Sequence, residues 1–261
     1  MCGITGFIEK TEKKIAESNL NLMVQEIKHR GPDSNGIWYD ENNGIGLAHA
    51  RLSILDLTSA GHQPMASYSE RYIISFNGEI YNHLLLRENL KKSGINIIWR
   101  GHSDTETLLA CIDTWGLEKT IKKCSGMFAI VIFDKKENSI YLIRDRMGEK
   151  PLYYGVQNGV FLFGSELKAL KKHPAFQGEI DRNSLALQLK YNYIPTPYSI
   201  YKGIKKLTPG TILKVGVNSK YANIEAIGIP VDFWSLKEVA INGQSNIYTG
   251  NAIEAVNDLD K

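Results

Sequence analysis

The pattern of apolar and polar residues predicts many short strands and few helices. Residues 1–9 alternate with a period of two, which is typical of a strand. Apolar residues recur at helical spacing in residues 20–29, 83–93 and 105–115. Short apolar runs between turn residues predict further strands, at 36–57, 71–76, 79–81, 126–133, 139–144, 152–156 and 160–165. Because strands and helices do not alternate as βαβ units, we predict an α+β fold with antiparallel sheet.

The character of the sequence changes after about residue 193. Proline-rich residues 194–197 and the Asn- and Gly-rich residues 242–250 predict connectors. Residues 252–259 have the spacing of an amphipathic helix in which the sequence stops, so we expect a fragment of a longer protein. We therefore divide the chain into a main domain at 1–192, a connector segment with short strands at 193–245, and a linker with the start of another domain at 246–261.

Composition narrows the possible function classes. Hydrophobic residues make up 43% of the 261 residues, and the formal net charge of +3 is too small to indicate a nucleic acid or an anionic membrane as partner. Apolar runs are too short to span a bilayer, and the N-terminus has no signal pattern. The three cysteines, Cys2, Cys111 and Cys124, form no CxxC pair, which disfavours disulfides and zinc. We expect a cytoplasmic protein without a metal.

Cys2 is a candidate nucleophile if Met1 is removed. One residue would then carry a thiol, with an ordinary pKa of about 8.5, and an α-amine, with an ordinary pKa of about 7.7–8.0. The neutral amine could accept the thiol proton directly or through a water molecule. The alternative is a small buried residue in a first strand, and position 2 alone favours that alternative.

Asn77-Gly78 has two interpretations. An Asn-Gly pair between two apolar runs is a strong signal for a hairpin turn, which the spacing alone favours. Alternatively, the Asn77 side-chain amide and the Gly78 backbone N–H could donate to a developing oxyanion.

Three charged residues could bind the two ends of an amino acid. Arg51 could hold a carboxylate, or could be an exposed charge at a strand edge. Glu79 and Asp104 could bind an ammonium group; alternatively, Glu79 is a cross-strand charge and Asp104 is a helix N-cap. Ser103 competes for that cap, because residues 103–106 also fit a capping box.

The order of several motifs is more specific than any one of them. Together they resemble the N-terminal glutaminase domain of glutamine-hydrolysing asparagine synthetase, a class II amidotransferase of the N-terminal-nucleophile (Ntn) hydrolase superfamily. The resemblance is dense over roughly the first three quarters of the chain. The motifs are Met1-Cys-Gly-Ile-Thr-Gly6, His29-Arg-Gly-Pro-Asp33, Ala48-His-Ala-Arg-Leu-Ser-Ile54, Gln63-Pro64, Phe76-Asn-Gly-Glu-Ile-Tyr-Asn82, Ser103-Asp104, Gly126-Met-Phe-Ala129, Arg144-Asp-Arg146, Lys150-Pro-Leu-Tyr-Tyr154 and Ser165-Glu-Leu-Lys-Ala-Leu170.

The resemblance implies a fold and a catalytic apparatus. The fold would be a four-layer αββα sandwich of two antiparallel sheets. Cys2 would form a γ-glutamyl thioester that water then hydrolyses, and Asn77 and Gly78 would form the oxyanion hole. Arg51 would bind the glutamine α-carboxylate, and Asp104 with Glu79 and the Gly78 carbonyl would bind the α-amine. Backbone groups around three further residues would line the pocket: Leu52, Ile54 and Leu55.

The resemblance also implies what lies outside this sequence. Residues 1–192 would be the glutaminase domain, and a synthetase domain, beginning within 246–261, would use ATP and Mg²⁺ to amidate aspartate with the released ammonia. No cofactor is expected for the fragment itself, and a homodimer is expected. Three alternatives stay open. The full-length protein could amidate another carboxylate, such as a sugar acid in polysaccharide biosynthesis, or the chain could be a non-catalytic glutamine-binding or regulatory module. It could also be another Ntn hydrolase that acts on a different amide.

Overall fold

The computed structural model describes residues 1–217 and 221–259. Residues 218–220 of the predicted connector segment and residues 260–261 of the predicted linker lie outside the described part. The described strands are β1 (Gly3–Ile8), β2 (Ser34–Asp40), β3 (Ile45–Arg51), β4 (Met65–Ala66), β5 (Tyr72–Ile80), β6 (Gly126–Asp134), β7 (Ser139–Arg144), β8 (Tyr153–Gln157), β9 (Val160–Gly164), β10 (Ile204–Lys206), β11 (Thr211–Gly216) and β12 (Val231–Asp232).

The described helices lie around these strands. They are α1 (Lys13–Gln25), α2 (His83–Lys92), α3 (Asp104–Trp115), α4 (Leu117–Lys123), α5 (Leu167–Leu170), α6 (Arg182–Tyr191), α7 (Leu236–Ser245) and α8 (Ala252–Leu259). Within the described ranges, none of these helices has both the length and the apolar composition needed to cross a bilayer.

Two antiparallel sheets form the centre of the molecule. One has the strand order β10-β8-β9-β1-β3-β2, and the other has the order β12-β11-β7-β6-β5-β4. Three apolar clusters separate the layers. The first fills the space between the sheets and includes Ile4, Leu47 and Val131. The second lies between β5–β7 and helices α2–α4, and the third lies between β1, β3 and α1. The predicted α+β class with two antiparallel sheets and outer helices is confirmed.

The structure corrects the bounds of several predicted elements. The first helix spans Lys13–Gln25 rather than residues 20–29, because Ala16 joins Leu20, Met23 and Val24 on its buried face. Helix α6 was not predicted, and α7 extends into residues 242–245, where a connector was predicted. The strands of the predicted connector segment belong to the two sheets: β10 pairs with β8, and β11 pairs with β7.

Asn77-Gly78 is not a hairpin turn. Strand β5 runs without a break from Tyr72 to Ile80, and β6 pairs with it along its whole length. Asn77 lies opposite Ala129 and Gly78 opposite Phe128. The turn interpretation is therefore wrong, because a turn at this point would prevent the continuous pairing with β6.

Candidate active site

A cleft opens where the inner faces of the two sheets end. Strand β1 begins directly after Cys2, β3 ends at Arg51, and β5 carries Asn77 and Gly78. The start of α3 brings Asp104 to the same place. All nine residues that the sequence suggested for the site line this one cleft: Cys2, Arg51, Leu52, Ile54, Leu55, Asn77, Gly78, Glu79 and Asp104. The structure therefore brings them together, and their individual roles stay predictions.

Cys2 is held from two directions. Its Sγ accepts a hydrogen bond from the backbone N–H of Leu52 at 3.4 Å and lies 3.6 Å from the Leu52 carbonyl oxygen, to which the thiol can donate. The Nε of Arg30 donates to the Cys2 carbonyl oxygen at 2.9 Å, and Nη1 of the same side chain pairs with Glu166 at 2.8 Å. Burial raises the pKa of the Cys2 thiol, while the Leu52 hydrogen bond and the charge of Arg51 act against that rise.

Asn77 has a side chain that folding leaves without a partner. The residue is only 1% exposed, and its Nδ2 donates to no acceptor among the described residues. Buried amide groups are nearly always hydrogen-bonded, so an unpartnered one needs an explanation. Because Asn77 and Cys2 line the same cleft, a ligand oxygen can supply the missing acceptor.

Gly78 is required by the neighbouring strand. A β-carbon built at this position would lie 2.1 Å from the Met127 carbonyl oxygen and 2.7 Å from the Phe128 Cα. Any side chain here would therefore push β5 and β6 apart. With glycine at position 78, β5 stays paired with β6 along one edge. Its backbone beside Asn77 also stays open to the cleft.

Two side chains that sequence reasoning left without a role fix the strand just before Asn77. The Oε1 of Gln63 accepts the Phe76 N–H at 2.7 Å, and Nε2 of His49 lies 2.9 Å from the Phe76 carbonyl oxygen. Burial lowers the pKa of His49 to about 4, so the ring is neutral and donates through Nε2. Both belong to motifs of the family resemblance, but their partner is a backbone group distant in sequence.

Arg51 donates hydrogen bonds to the loop that follows β3. Its Nη1 donates to the Thr58 carbonyl oxygen at 2.9 Å, and its Nη2 donates to the Asp56 carbonyl oxygen. Carbonyl groups are neutral, and no carboxylate of the described residues pairs with this buried guanidinium within 4.0 Å. Its positive charge is thus uncompensated by an ion pair in the cleft, where a carboxylate ligand could pair with it.

The loop itself is tied to the residues before α3. The Asp56 carboxylate accepts the N–H and Oγ1–H of Thr58 at 2.8 and 2.6 Å, and the N–H of His102 at 2.8 Å. The Thr58 hydroxyl and these N–H groups together lower the pKa of Asp56 to about 2. The loop backbone thereby lies beside the cleft, where Leu52, Ile54 and Leu55 line the wall.

Asp104 is a buried carboxylate at the cleft wall. It is 6% exposed, and its Oδ2 accepts the Ile80 N–H at 2.9 Å. The interpretation of Asp104 as the N-cap is wrong, because Ser103 caps the helix by accepting the Glu106 N–H. Burial raises the pKa of Asp104 to about 6, and the nearby charge of Glu79 adds to that rise.

The cleft combines charges of both signs with a thiol and a free amide. Arg51 supplies a cation, and Glu79 and Asp104 supply carboxyl groups. This combination suits a zwitterionic amino acid whose side chain reaches Cys2. Among residues 1–217 and 221–259, no group of three His, Cys, Asp or Glu side chains is arranged to hold a metal ion.

Comparison with known proteins assigns the family. Residues 1–223 match the family described as a glutamine amidotransferase domain. A putative glutamine-hydrolyzing asparagine synthetase 2 of Methanocaldococcus jannaschii is 40% identical over 225 residues, which cover 79% of this chain and 42% of that protein. Asparagine synthetase 1 of Bacillus subtilis is 39% identical over 214 residues, covering 81% of this chain and 33% of that protein. The chain thus spans about two fifths or less of these relatives.

Solved structures show the same fold. One is glutamine phosphoribosylpyrophosphate amidotransferase of B. subtilis, with a TM-score of 0.62 and 16% identity. The matched region covers 89% of the present chain and 49% of the B. subtilis chain. A structure described as the allosteric regulatory enzyme of purine biosynthesis has the same coverage and identity with a TM-score of 0.64. These likenesses confirm the predicted amidotransferase fold, and the match over residues 1–223 shows that the chain belongs to the glutamine amidotransferase domain family.

Proposed function

We propose that this chain hydrolyses glutamine to glutamate and ammonia, with Cys2 as the nucleophile after removal of Met1. The observation that carries the proposal is the unpartnered Nδ2 of Asn77 in the same cleft as the Cys2 thiol. An amide hydrolase needs a nucleophile and a donor that waits for the oxyanion, and this cleft supplies both.

The proposed reaction has two stages. The α-amine of Cys2 takes the thiol proton, and the sulfur attacks the side-chain carbonyl carbon of glutamine. The oxyanion accepts hydrogen bonds from Asn77 Nδ2 and the Gly78 N–H until the C–N bond breaks and ammonia leaves with a proton from the amine. Water then attacks the γ-glutamyl thioester through the same oxyanion hole, and glutamate and the free thiol result.

Substrate binding follows from the charges of the cleft. Arg51 binds the α-carboxylate, while Asp104 and Glu79 bind the α-ammonium group. Leu52, Ile54 and Leu55 form the wall of the pocket beside the substrate. Because both ends of an α-amino acid are paired, free glutamine should compete for the site and a glutamine blocked at both ends should not.

For the full-length protein we propose that the ammonia amidates aspartate in an ATP- and Mg²⁺-dependent reaction in a further domain. The support is the names of the relatives, which are glutamine-hydrolyzing asparagine synthetases of which this chain spans 33–42%. We also propose that residues 1–192 form the glutaminase domain, that the protein is a homodimer and that it is cytoplasmic.

The test is ammonia release from glutamine by the purified chain. Cys2→Ala should abolish release, whereas Cys111→Ala, which removes a buried thiol outside the cleft, should retain it. Equal activity of the parent chain and Cys2→Ala would rule out the proposed nucleophile. A folded, fully processed chain that binds glutamine and releases no ammonia would favour the non-catalytic module instead.

A further inference from the structure

Lys150 is a buried lysine without an ion pair. It is 5% exposed and lines the same cleft as Cys2, Asn77 and Gly78. Lysine side chains are almost never buried unless an acidic group pairs with them. Here no carboxylate among the described residues lies within 4.0 Å of Nζ. The described polar contact of Nζ is with the Sδ of Met1 at 3.1 Å, and a thioether is a weak acceptor.

The backbone of Lys150 is firmly placed. Its N–H donates to Asp145 Oδ2 at 3.0 Å, and its carbonyl oxygen accepts from Arg144 Nε at 2.8 Å. The same Asp145 carboxylate accepts the N–H groups of Met147 and Glu149, so it is occupied by backbone donors. The lysine side chain is therefore directed to the cleft by a rigid turn, with its charge facing the N-terminal residues.

Cleavage of Met1 removes the thioether that contacts the Lys150 ammonium group. When Met1 is cleaved, its thioether leaves, and a new α-amine appears on Cys2 in the same cleft. A positive charge disfavours protonation of a neighbouring amine and favours ionisation of a neighbouring thiol. Burial acts on the thiol in the opposite direction, because it raises the pKa of Cys2.

We propose that Lys150 is an electrostatic positioning residue, which acts through Cys2 by keeping the processed α-amine in its neutral form and promoting the thiolate. This inference rests on the proposed function, since it assigns Lys150 a place in the same nucleophile. The lysine neither donates nor accepts a proton in the reaction. Its charge biases the proton transfer from thiol to amine that starts the attack.

Several other charged groups lie near Cys2. Those lining the cleft are Arg51, Asp56, Glu79 and Asp104. Arg30, on the carbonyl of Cys2, is paired with Glu166. All of them stay unchanged in a Lys150 variant, so a difference between the variant and the parent chain reports the Lys150 charge.

The test is the pH dependence of Cys2 alkylation by iodoacetamide in the processed protein, followed by mass analysis of the N-terminal peptide. Lys150→Met removes the charge and keeps an unbranched side chain, and its midpoint should move up by about one pH unit. Lys150→Arg should keep the parent midpoint. The matched control is Lys206→Met at a partly buried lysine away from the cleft, which should also keep it. Lys150→Gln is a second neutral variant in case Lys150→Met does not fold.

Activity provides an independent readout. The acid limb of kcat should move to higher pH in the neutral variants, because the amine then protonates more readily, and Lys150→Arg should restore it. An unchanged alkylation midpoint in both neutral variants, or an equal shift in Lys150→Arg, overturns the inference. A shifted midpoint in a chain that releases no ammonia from glutamine would contradict the proposed function and leave the role of Lys150 standing.

Discussion

Asn77 and Ser75 show how much a single buried polar atom can reveal. Both lie in β5, both are almost fully buried, and each has a side-chain polar atom without a partner in the described structure. Only Asn77 lines the cleft. A missing hydrogen-bond partner costs free energy in either case, but only at Asn77 can a substrate supply that partner.

Asn77→Ala should lower the kcat for glutamine by about 10²–10³-fold, because one of the two proposed oxyanion donors is lost. Its thermal midpoint should change little, since Nδ2 donates no hydrogen bond to the described residues. Ser75→Ala is the matched control and should keep kcat. A normal kcat in Asn77→Ala would remove this residue from the oxyanion hole.

The proposed role of Asp104 in binding the substrate ammonium group makes that binding dependent on pH. Its folded pKa of about 6 lies above the ordinary value of 3.8 because the carboxyl is buried. The KM for glutamine should therefore rise as the pH falls through about 6, since the protonated group no longer attracts an ammonium ion. Steady-state kinetics across this range measure the effect.

The same pKa has a consequence for stability. A raised carboxyl pKa means that the folded protein binds the proton more tightly, so stability decreases as the pH rises from about 4 to above 6. Asp104→Asn should thus be more stable than the parent at pH 7, by about 1–3 kcal/mol, and lose this advantage near pH 4. Denaturant unfolding of the parent chain and the variant at pH 4 and pH 7 measures the difference.

At the scale of elements, the pairing of β5 with β6 positions Asn77 and Gly78, the two donors of the proposed oxyanion hole. Gly78→Ala should destabilise the fold by about 1–3 kcal/mol, because the new methyl group overlaps the Met127 carbonyl oxygen. Activity should fall as well, since Asn77 moves with the strand. Gly216→Ala in β11 is the matched control, because a β-carbon there has no neighbour within 4 Å among the described residues. Equal thermal midpoints of the two variants would contradict this account of β5.

Two of the helices that sequence reasoning missed contribute little to the core: α6 buries only Ser184, and α7 buries no residue. In α7, Asn242 and Gly243 favoured a connector over the helix that forms there. Strand β5 was predicted in two pieces because Asn-Gly is so common in hairpins. A local signal cannot show that a continuous partner strand will lie beside it.

For the molecule as a whole, the predicted α+β class and the two sheets are confirmed, and the nine candidate residues meet in one cleft. Their order along the chain, rather than any single spacing, carried that prediction. The parts played by His49, Gln63 and Lys150 could not be predicted, because their partners are backbone atoms or residues far away in sequence. Long-range contacts of this kind exist only once the sheets have packed.

The identity of the nucleophile is the central claim, and covalent labelling tests it most directly. The purified chain is treated with a diazoketone analogue of glutamine, and its peptides are analysed by mass. The account predicts an N-terminal peptide that begins at Cys2 without Met1 and carries one label per chain, while the buried Cys111 and Cys124 stay unmodified. An active chain that retains Met1, or a label on any residue other than Cys2, would contradict it.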